Sequence, residues 1–331
     1  MERRWGDWSQ VKLEALSRYL SAFTTASQKA KGTLYLDLFA GADENTLRGG
    51  GQPLLNSPRR ALDARPPFNK VVLCELNEDD ASNLDHSLHE EYPGRDIVVL
   101  PGDCNKTMPK YLASLTRTSP GWRKAPVFAF LDQFSAEIHW ETLETLSRFR
   151  EGTSKVELWL FFGDSFIPRG AYSEEGRPVN PQYAERVDRM YGTNQWRELA
   201  AGRSDRLLTG KQYKAELVNL MRWRIEKDLG YASTMPLQIV SERNQPLYNM
   251  IFATDHPAGT RIMSSVFAGA WKDLQDMKVR HKLAEKGKTD EMFGVESLFD
   301  VTPELLTRST AALPLLGPPQ KPWTQFGSSH P

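Results

Sequence analysis

The sequence predicts an α/β protein whose seven-stranded, mostly parallel sheet is covered by helices on both faces. Three observations lead there. Five short apolar runs alternate with helical stretches over the first half of the 331-residue chain. Each parallel crossover needs such a helix, so the alternation asks for a parallel sheet buried on both sides. Two later apolar runs, separated by only six residues, suit an antiparallel hairpin closing that sheet. Finally, Asp37, Glu75, Asp103 and Asp132 stand at or just past the ends of the first four runs, where an open sheet binds its ligand.

The elements follow in order. Residues 8–24 carry Trp8, Leu13, Leu16, Tyr19, Leu20 and Phe23 at helical spacing, with Ser9 placed to cap the start. Thr33–Phe39 is the first strand, ending at Gly41. Residues 42–67 read as loop, with Gly49, Gly50 and Gly51 inside it and a turn or two of helix over 58–65. Strands are expected at 70–76, 96–100, 126–131 and 156–162, with helices at 78–91, 106–117 and 139–150. A polar stretch rich in Arg, Tyr and Trp follows, helical over 182–191, 193–200 and 211–228. Strands at 237–240 and 247–254 and a helix over 260–286 complete the core.

The expected organisation is an N-terminal helix (1–30), a ligand-binding α/β core (31–166), a helical insertion for acceptor or partner recognition (167–235), the last strands and helix (236–290), and a mobile tail rich in Pro, Gly and Ser (291–331). Charge offers no global pull toward nucleic acid or membrane, since 42 Lys and Arg balance 42 Asp and Glu. Two cysteines, no apolar leader and no run of about 18 apolar residues point to a cytoplasmic protein without a membrane span.

The four acids carry the chemistry. Asp37 in Asp-Leu-Phe-Ala-Gly-Ala-Asp can hold an ammonium by a charge-assisted hydrogen bond, as in the methionine end of S-adenosylmethionine (SAM), while Gly41 permits a tight turn. Glu75 can accept from both hydroxyls of a ribose. Asp103 sits where an acid meets an adenine amino group. Asp132 can accept from a target amine, and Phe134 can stack on a planar acceptor such as a base. Plainer alternatives stand beside them: Asp37 as an ordinary strand-to-loop turn residue, Asp103 as a turn residue or helix cap, Asp132 as the cap of the following turn, Phe134 as core. No metal is expected, because His86, His89, Cys74 and Cys104 match no tetrahedral spacing. The nicotinamide fingerprint Gly-x-Gly-x-x-Gly is absent. Lys211, Tyr213, Lys214, Arg222, Trp223, Arg224 and Lys227 interleave charge with rings, either as a nucleic-acid surface or, the favoured reading, as a solvated helix face.

Lys12-Leu13 with Tyr19-Leu20, the run from Tyr35 to Gly41, Asn56-Ser57-Pro58 before Ala61-Leu62, Glu75, and Gly102-Asp103-Cys104-Asn105 recur in one order and spacing. So do Phe130-Leu131-Asp132 through Trp140, Trp196, Leu247-Tyr248 and His256. Over residues 8–270 the chain resembles the three-Cys-motif partner proteins, a bacterial family with a Rossmann-like class I SAM methyltransferase fold. The resemblance implies SAM as cofactor, held by Asp37, Phe39, Gly41, Glu75, Asp103 and Cys104, with Asp132 and Phe134 at the acceptor. It also implies an iron–sulfur partner protein carrying a three-cysteine motif. Two departures stand out: Gly41-Ala42-Asp43 where the family has Gly-Pro-Gly, and Asp132-Gln133-Phe134-Ser135 where it has Asp-Pro-Phe-Gly. The function expected is methyl transfer to an acceptor such as an amino nitrogen on nucleic acid. The rival is a lapsed methyltransferase fold that serves as a binding partner, favoured by Gln133 and Ser135.

Overall fold

A computed structural model describes residues 7–43, 55–167, 180–240, 246–293 and 317–324, with side chains from Gln10 and, in the last helix, as far as Asp276. Ser9 falls inside the first helix, Asp7–Ala26, rather than before it, so it does not cap the start; the run Gly49–Gly51 lies outside what is described. The strands are β1 (Leu34–Asp37), β2 (Lys70–Glu75), β3 (Ile97–Pro101), β4 (Val127–Leu131), β5 (Glu157–Phe162), β6 (Ser233–Val240) and β7 (Pro246–Thr254). They form one sheet in the order β3-β2-β1-β4-β5-β7-β6. All neighbours from β3 to β5 pair in parallel, and β7 runs antiparallel to both β5 and β6. This is the mostly parallel sheet with an antiparallel last strand that the sequence predicts.

The helices are α1 (Asp7–Ala26), α2 (Ser57–Leu62), α3 (Glu78–Glu91), α4 (Cys104–Thr118), α5 (Trp140–Phe149), α6 (Pro181–Tyr191), α7 (Trp196–Ser204), α8 (Gly210–Lys227) and α9 (Pro257–Phe293). Strand residues alternate between two cores, as a pleated strand requires. Tyr35, Val71, Leu73, Phe128, Phe130, Trp159 and Phe252 face α1, α2, α3 and α9. Leu36, Val72, Ala129, Leu131, Leu158, Leu160 and Ile251 face α4, α5 and the α6–α8 insertion. The insertion therefore doubles as the covering layer between β5 and β6.

Element starts are written in local capping chemistry. Asn77 accepts from Asp80 N at 3.0 Å to open α3, Asp103 accepts from Asn105 N at 2.9 Å to open α4, and Thr209 with Gln212 forms a capping box on α8. The last helix runs Pro257–Phe293 rather than 260–286 and the first strand ends at Asp37 rather than Phe39, and two further expectations move. β6 begins at Ser233 rather than residue 237, because Thr234 and Met235 pair with Ala253 and Phe252 across the hairpin, a register that strand propensity around Pro236 conceals. Of the tail expected to be mobile, residues 317–324 are docked: Trp323 packs on the insertion core, and Gln320 exchanges two hydrogen bonds with Asn219. Composition alone gives no sign of that pairing. Among the described residues, no helix is long and apolar enough to cross a membrane.

Candidate functional site

The chain winds from β1 outward through β2 to β3, then crosses back to β4 and β5, so the direction reverses between β1 and β4. In open α/β sheets the loops leaving two such strands diverge, and ligands bind outside their carboxyl ends. The order of the strands sets Asp103, Glu75, Asp37 and Asp132 along that one edge.

Asp37 closes β1 and is fully buried. It accepts from Tyr35 Oη at 3.0 Å and Phe39 N at 3.2 Å, and the Ser57 side chain is a third partner. Burial pushes its carboxyl up to about 6 against these hydrogen bonds, and the nearby Asp132 charge adds to the rise. Burial and the Asp37 charge likewise push the Tyr35 phenol up. Phe39 and Gly41 stand in the turn that follows, with Ala40 N donating to Cys74 O at 2.9 Å. Gly41 has φ +77°, the left-handed region, and a Cβ there would meet no atom within 4 Å, so its glycine serves the backbone turn. Arg59 ties this loop down by ion pairs to Asp43 at 2.7 Å and to Glu91 of α3 at 2.6 Å.

Glu75 ends β2 half-exposed and accepts from Asn77 N at 2.9 Å. Beside it Leu76 is 72% exposed, an apolar side chain at the mouth of a polar cleft. Asp103 caps α4 and also accepts from Asn105 Nδ2 at 2.9 Å. Cys104, in contrast, turns into the core with Cys74, and burial pushes both thiols up, that of Cys74 to about 12. Cys104 can therefore present a ligand only with its backbone.

Past β4, Asp132 pairs with Lys12 of α1, which is nearly fully buried. Its charge also reaches Tyr248, where burial is the main cause of a raised phenol. Gln133 is buried and fully employed: Nε2 donates to Phe161 O at 3.0 Å, while Oε1 accepts from Glu137 N at 2.7 Å and Ile138 N at 2.9 Å. Ser135 Oγ lies 2.9 Å from Tyr183 Oη of α6. Phe134 is 67% exposed and begins a row of rings: it stacks on Phe166 at 6.2 Å, Phe166 meets Phe161 at 6.5 Å, and Phe161 meets Tyr248 at 4.6 Å.

The edge thus gathers Asp37, Phe39, Gly41, Glu75, Asp103, Asp132 and Phe134, and leaves the Cys104 thiol behind in the core. Sequence reasoning missed three residues. Asp164 stands two residues past β5, buried, bonded to Asn249 Nδ2 at 3.0 Å and pushed up to about 6 by burial. The rule that found the other four acids reaches it as well. Leu76 carried a weaker signal, an apolar residue just after a strand-ending acid. Lys12 carried none as a partner of Asp132, since the pairing spans 120 positions. Away from the cleft, His89 hydrogen-bonds Asp85 O at 2.9 Å on the exposed face of α3. Arg222 of the basic stretch is buried against Thr234.

No family model matches the chain, and no curated protein matches it. Solved structures do. Protein LPL1258 from Legionella pneumophila is 12% identical, matches over 74% of this chain and 85% of its own, and has a TM-score of 0.40. A protein from Klebsiella pneumoniae assigned as an O-methyltransferase is 13% identical over 77% and 93%, at 0.37. The cyclopropane synthase MmaA2 from Mycobacterium tuberculosis is 11% identical over 71% and 82%, at 0.29. These are likenesses of backbone arrangement only.

Proposed function

We propose that the carboxyl edge binds SAM and passes its methyl group to a nucleophile held beside Asp132. The observation that carries this reading is the order β3-β2-β1-β4, which lines up four strand-end acids along one sheet edge at the reversal point. Glu75 would take the ribose diol, and the exposed Leu76 beside it would cover a ring face, replacing contact with water. Asp103 would face the adenine amino group with the oxygen not used in capping Asn105. Asp37 is already committed to Tyr35 and Phe39, so its part would be to fix the turn that carries Phe39 and Gly41 against the methionine end.

At the acceptor, transfer needs an in-line nucleophile and exclusion of water. Phe134 and the rings behind it give a planar acceptor, such as a base with an exocyclic amine, a face to stack on. Asp132 would accept a hydrogen bond from that amine while its other oxygen stays paired with Lys12. The Gln133 and Ser135 departures do not leave the loop loose, since both side chains hold it from below.

Calorimetric titration with SAM and with S-adenosylhomocysteine tests the cleft. Micromolar binding of both is expected; no binding by the folded protein would remove the cofactor assignment. Turnover is then sought on nucleic-acid acceptors, with Asp132→Asn expected to keep SAM affinity and lose transfer. Binding without turnover on any acceptor, together with stable capture of an iron–sulfur partner, would favour the assembly role instead.

A further inference from the structure

Residues 317–324, Gly-Pro-Pro-Gln-Lys-Pro-Trp-Thr, run along the outer face of α8 and end against α7. Three α8 side chains at three-residue spacing, Glu216, Asn219 and Arg222, face this segment and bond its backbone. Arg222 Nη2 donates to Gly317 O at 2.8 Å. Asn219 Nδ2 donates to Gln320 O at 3.0 Å, and Asn219 Oδ1 accepts from Gln320 N at 2.9 Å. Glu216 Oε2 accepts from Trp323 N at 3.3 Å. The Asn219 pair reproduces with a side chain the two-way exchange that a neighbouring strand would offer.

Side chains add selectivity. Pro319 is buried, and the Trp323 ring lies on Gly202 of α7 so closely that a Cβ there would stand 2.5 Å from it. Gly202 sits inside a helix, where alanine would be better by about 1 kcal/mol in intrinsic propensity. The space a methyl would need is taken by tryptophan. Pro318, Pro319 and Pro322 fix three φ angles of the segment in advance, so less chain entropy is lost on docking. They also remove amide donors. Of the interior amides that remain, at Gln320, Lys321 and Trp323, two are accepted by α8. Proline-rich ligands of this kind are a common currency of peptide recognition.

We infer that the α7–α8 face is a peptide-recognition site for a proline-rich segment closed by a tryptophan, occupied here in cis by Gly317–Thr324. It is separate from the cofactor cleft and does not depend on methyl transfer.

The test uses a chain ending at residue 316, with its fold checked by circular dichroism, and a fluorescent peptide of residues 317–324. Saturable binding is expected. Trp323→Ala in the peptide, or Gly202→Ala in the chain, should weaken it at least tenfold, and Lys321→Ala, whose side chain is exposed, should leave it unchanged. Absence of binding to the folded chain, or equal binding of the Trp323→Ala peptide, would overturn the inference. If the shortened chain does not fold, hydrogen exchange on the full chain decides. The Gln320 and Trp323 amides should be protected, and Trp323→Ala should expose them; exchange at the free rate in the wild type would overturn the site. Protection that vanishes on dilution would hand the seat to a second copy and overturn occupancy in cis.

Discussion

On the β1–β3 side of the reversal point, each acid is anchored by a backbone amide two residues further on: Asp37 by Phe39, Glu75 by Asn77, Asp103 by Asn105. On the β4–β5 side remote partners join the local bonds that Gln133 accepts from the Glu137 and Ile138 amides. Asp132 is held by Lys12, Gln133 by Phe161, Ser135 by Tyr183 and Asp164 by Asn249. The first half is a set of turns that each strand end makes for itself, as Asp and Asn side chains do. The second also draws on α1, the insertion and β7. Asn105 is the seam: Nδ2 donates to Glu137 O at 2.9 Å, and Oδ1 accepts from His139 N at 2.8 Å. A surface built locally and one built in part from distant elements can vary independently, the second without disturbing the first. Mutations should therefore cost the two halves different things.

The largest stability loss is expected from Gln133→Ala. It strands two loop amides and the Phe161 carbonyl, at about 3 kcal/mol in total. Urea unfolding measures this directly. A loss under about 1 kcal/mol would show that the loop past β4 is held by its backbone after all, and the contrast would fail.

Next come the two buried carboxyls, one from each half. Asp37 and Asp164 are both raised from 3.8 to about 6, with burial the main cause. The folded state therefore binds these protons more tightly than the unfolded chain does. The stabilisation is complete below about pH 4 and is lost as pH rises through about 6, at most about 3 kcal/mol per group. Measured as the difference between wild type and Asp164→Asn, stability should decline from pH 4 to 6 and then level off. The corresponding difference for Asp37→Asn should behave alike. A difference that rises with pH would mean the carboxylate is stabilised by charge rather than penalised by burial.

This contrast also explains what the sequence could tell. The ends of the first, second and fourth strands were legible to within two residues because apolar runs mark them, and the local anchors lie within the same few residues. Asp164 answers to the same rule, but it falls where the chain turns polar. Lys12 with Asp132 and Asn219 with Gln320 pair across 120 and 101 positions. Nothing in local periodicity encodes such partners. The docked 317–324 segment shows the limit plainly: a composition that reads as unstructured is held by backbone bonds to side chains a hundred residues away.

A smaller loss should follow Lys12→Met, which leaves the Asp132 carboxylate, 21% exposed, without its counter-charge. Breaking a fully buried pair costs about 3–5 kcal/mol, so partial exposure brings the expectation to about 2 kcal/mol. Adding Asp132→Asn should recover part of it. A double-mutant cycle gives the coupling, and a value near zero would mean that α1 does not reach across to β4 in solution.

The smallest stability effect is expected at Glu75. Its side chain is half-exposed and contributes one hydrogen bond, to Asn77 N, so Glu75→Ala should shift the unfolding free energy by no more than about 0.5–1 kcal/mol. The same substitution should weaken SAM binding by about 1–3 kcal/mol, because two charge-assisted hydrogen bonds to a ribose are lost. Gln133→Ala should do the reverse, costing stability while leaving SAM affinity near wild type once folded protein is counted. Paired calorimetry and urea titration of the two variants put both halves on one scale. If Glu75→Ala leaves SAM affinity unchanged, the acids of β1–β3 are turn formers and nothing more, and the cleft loses its cofactor.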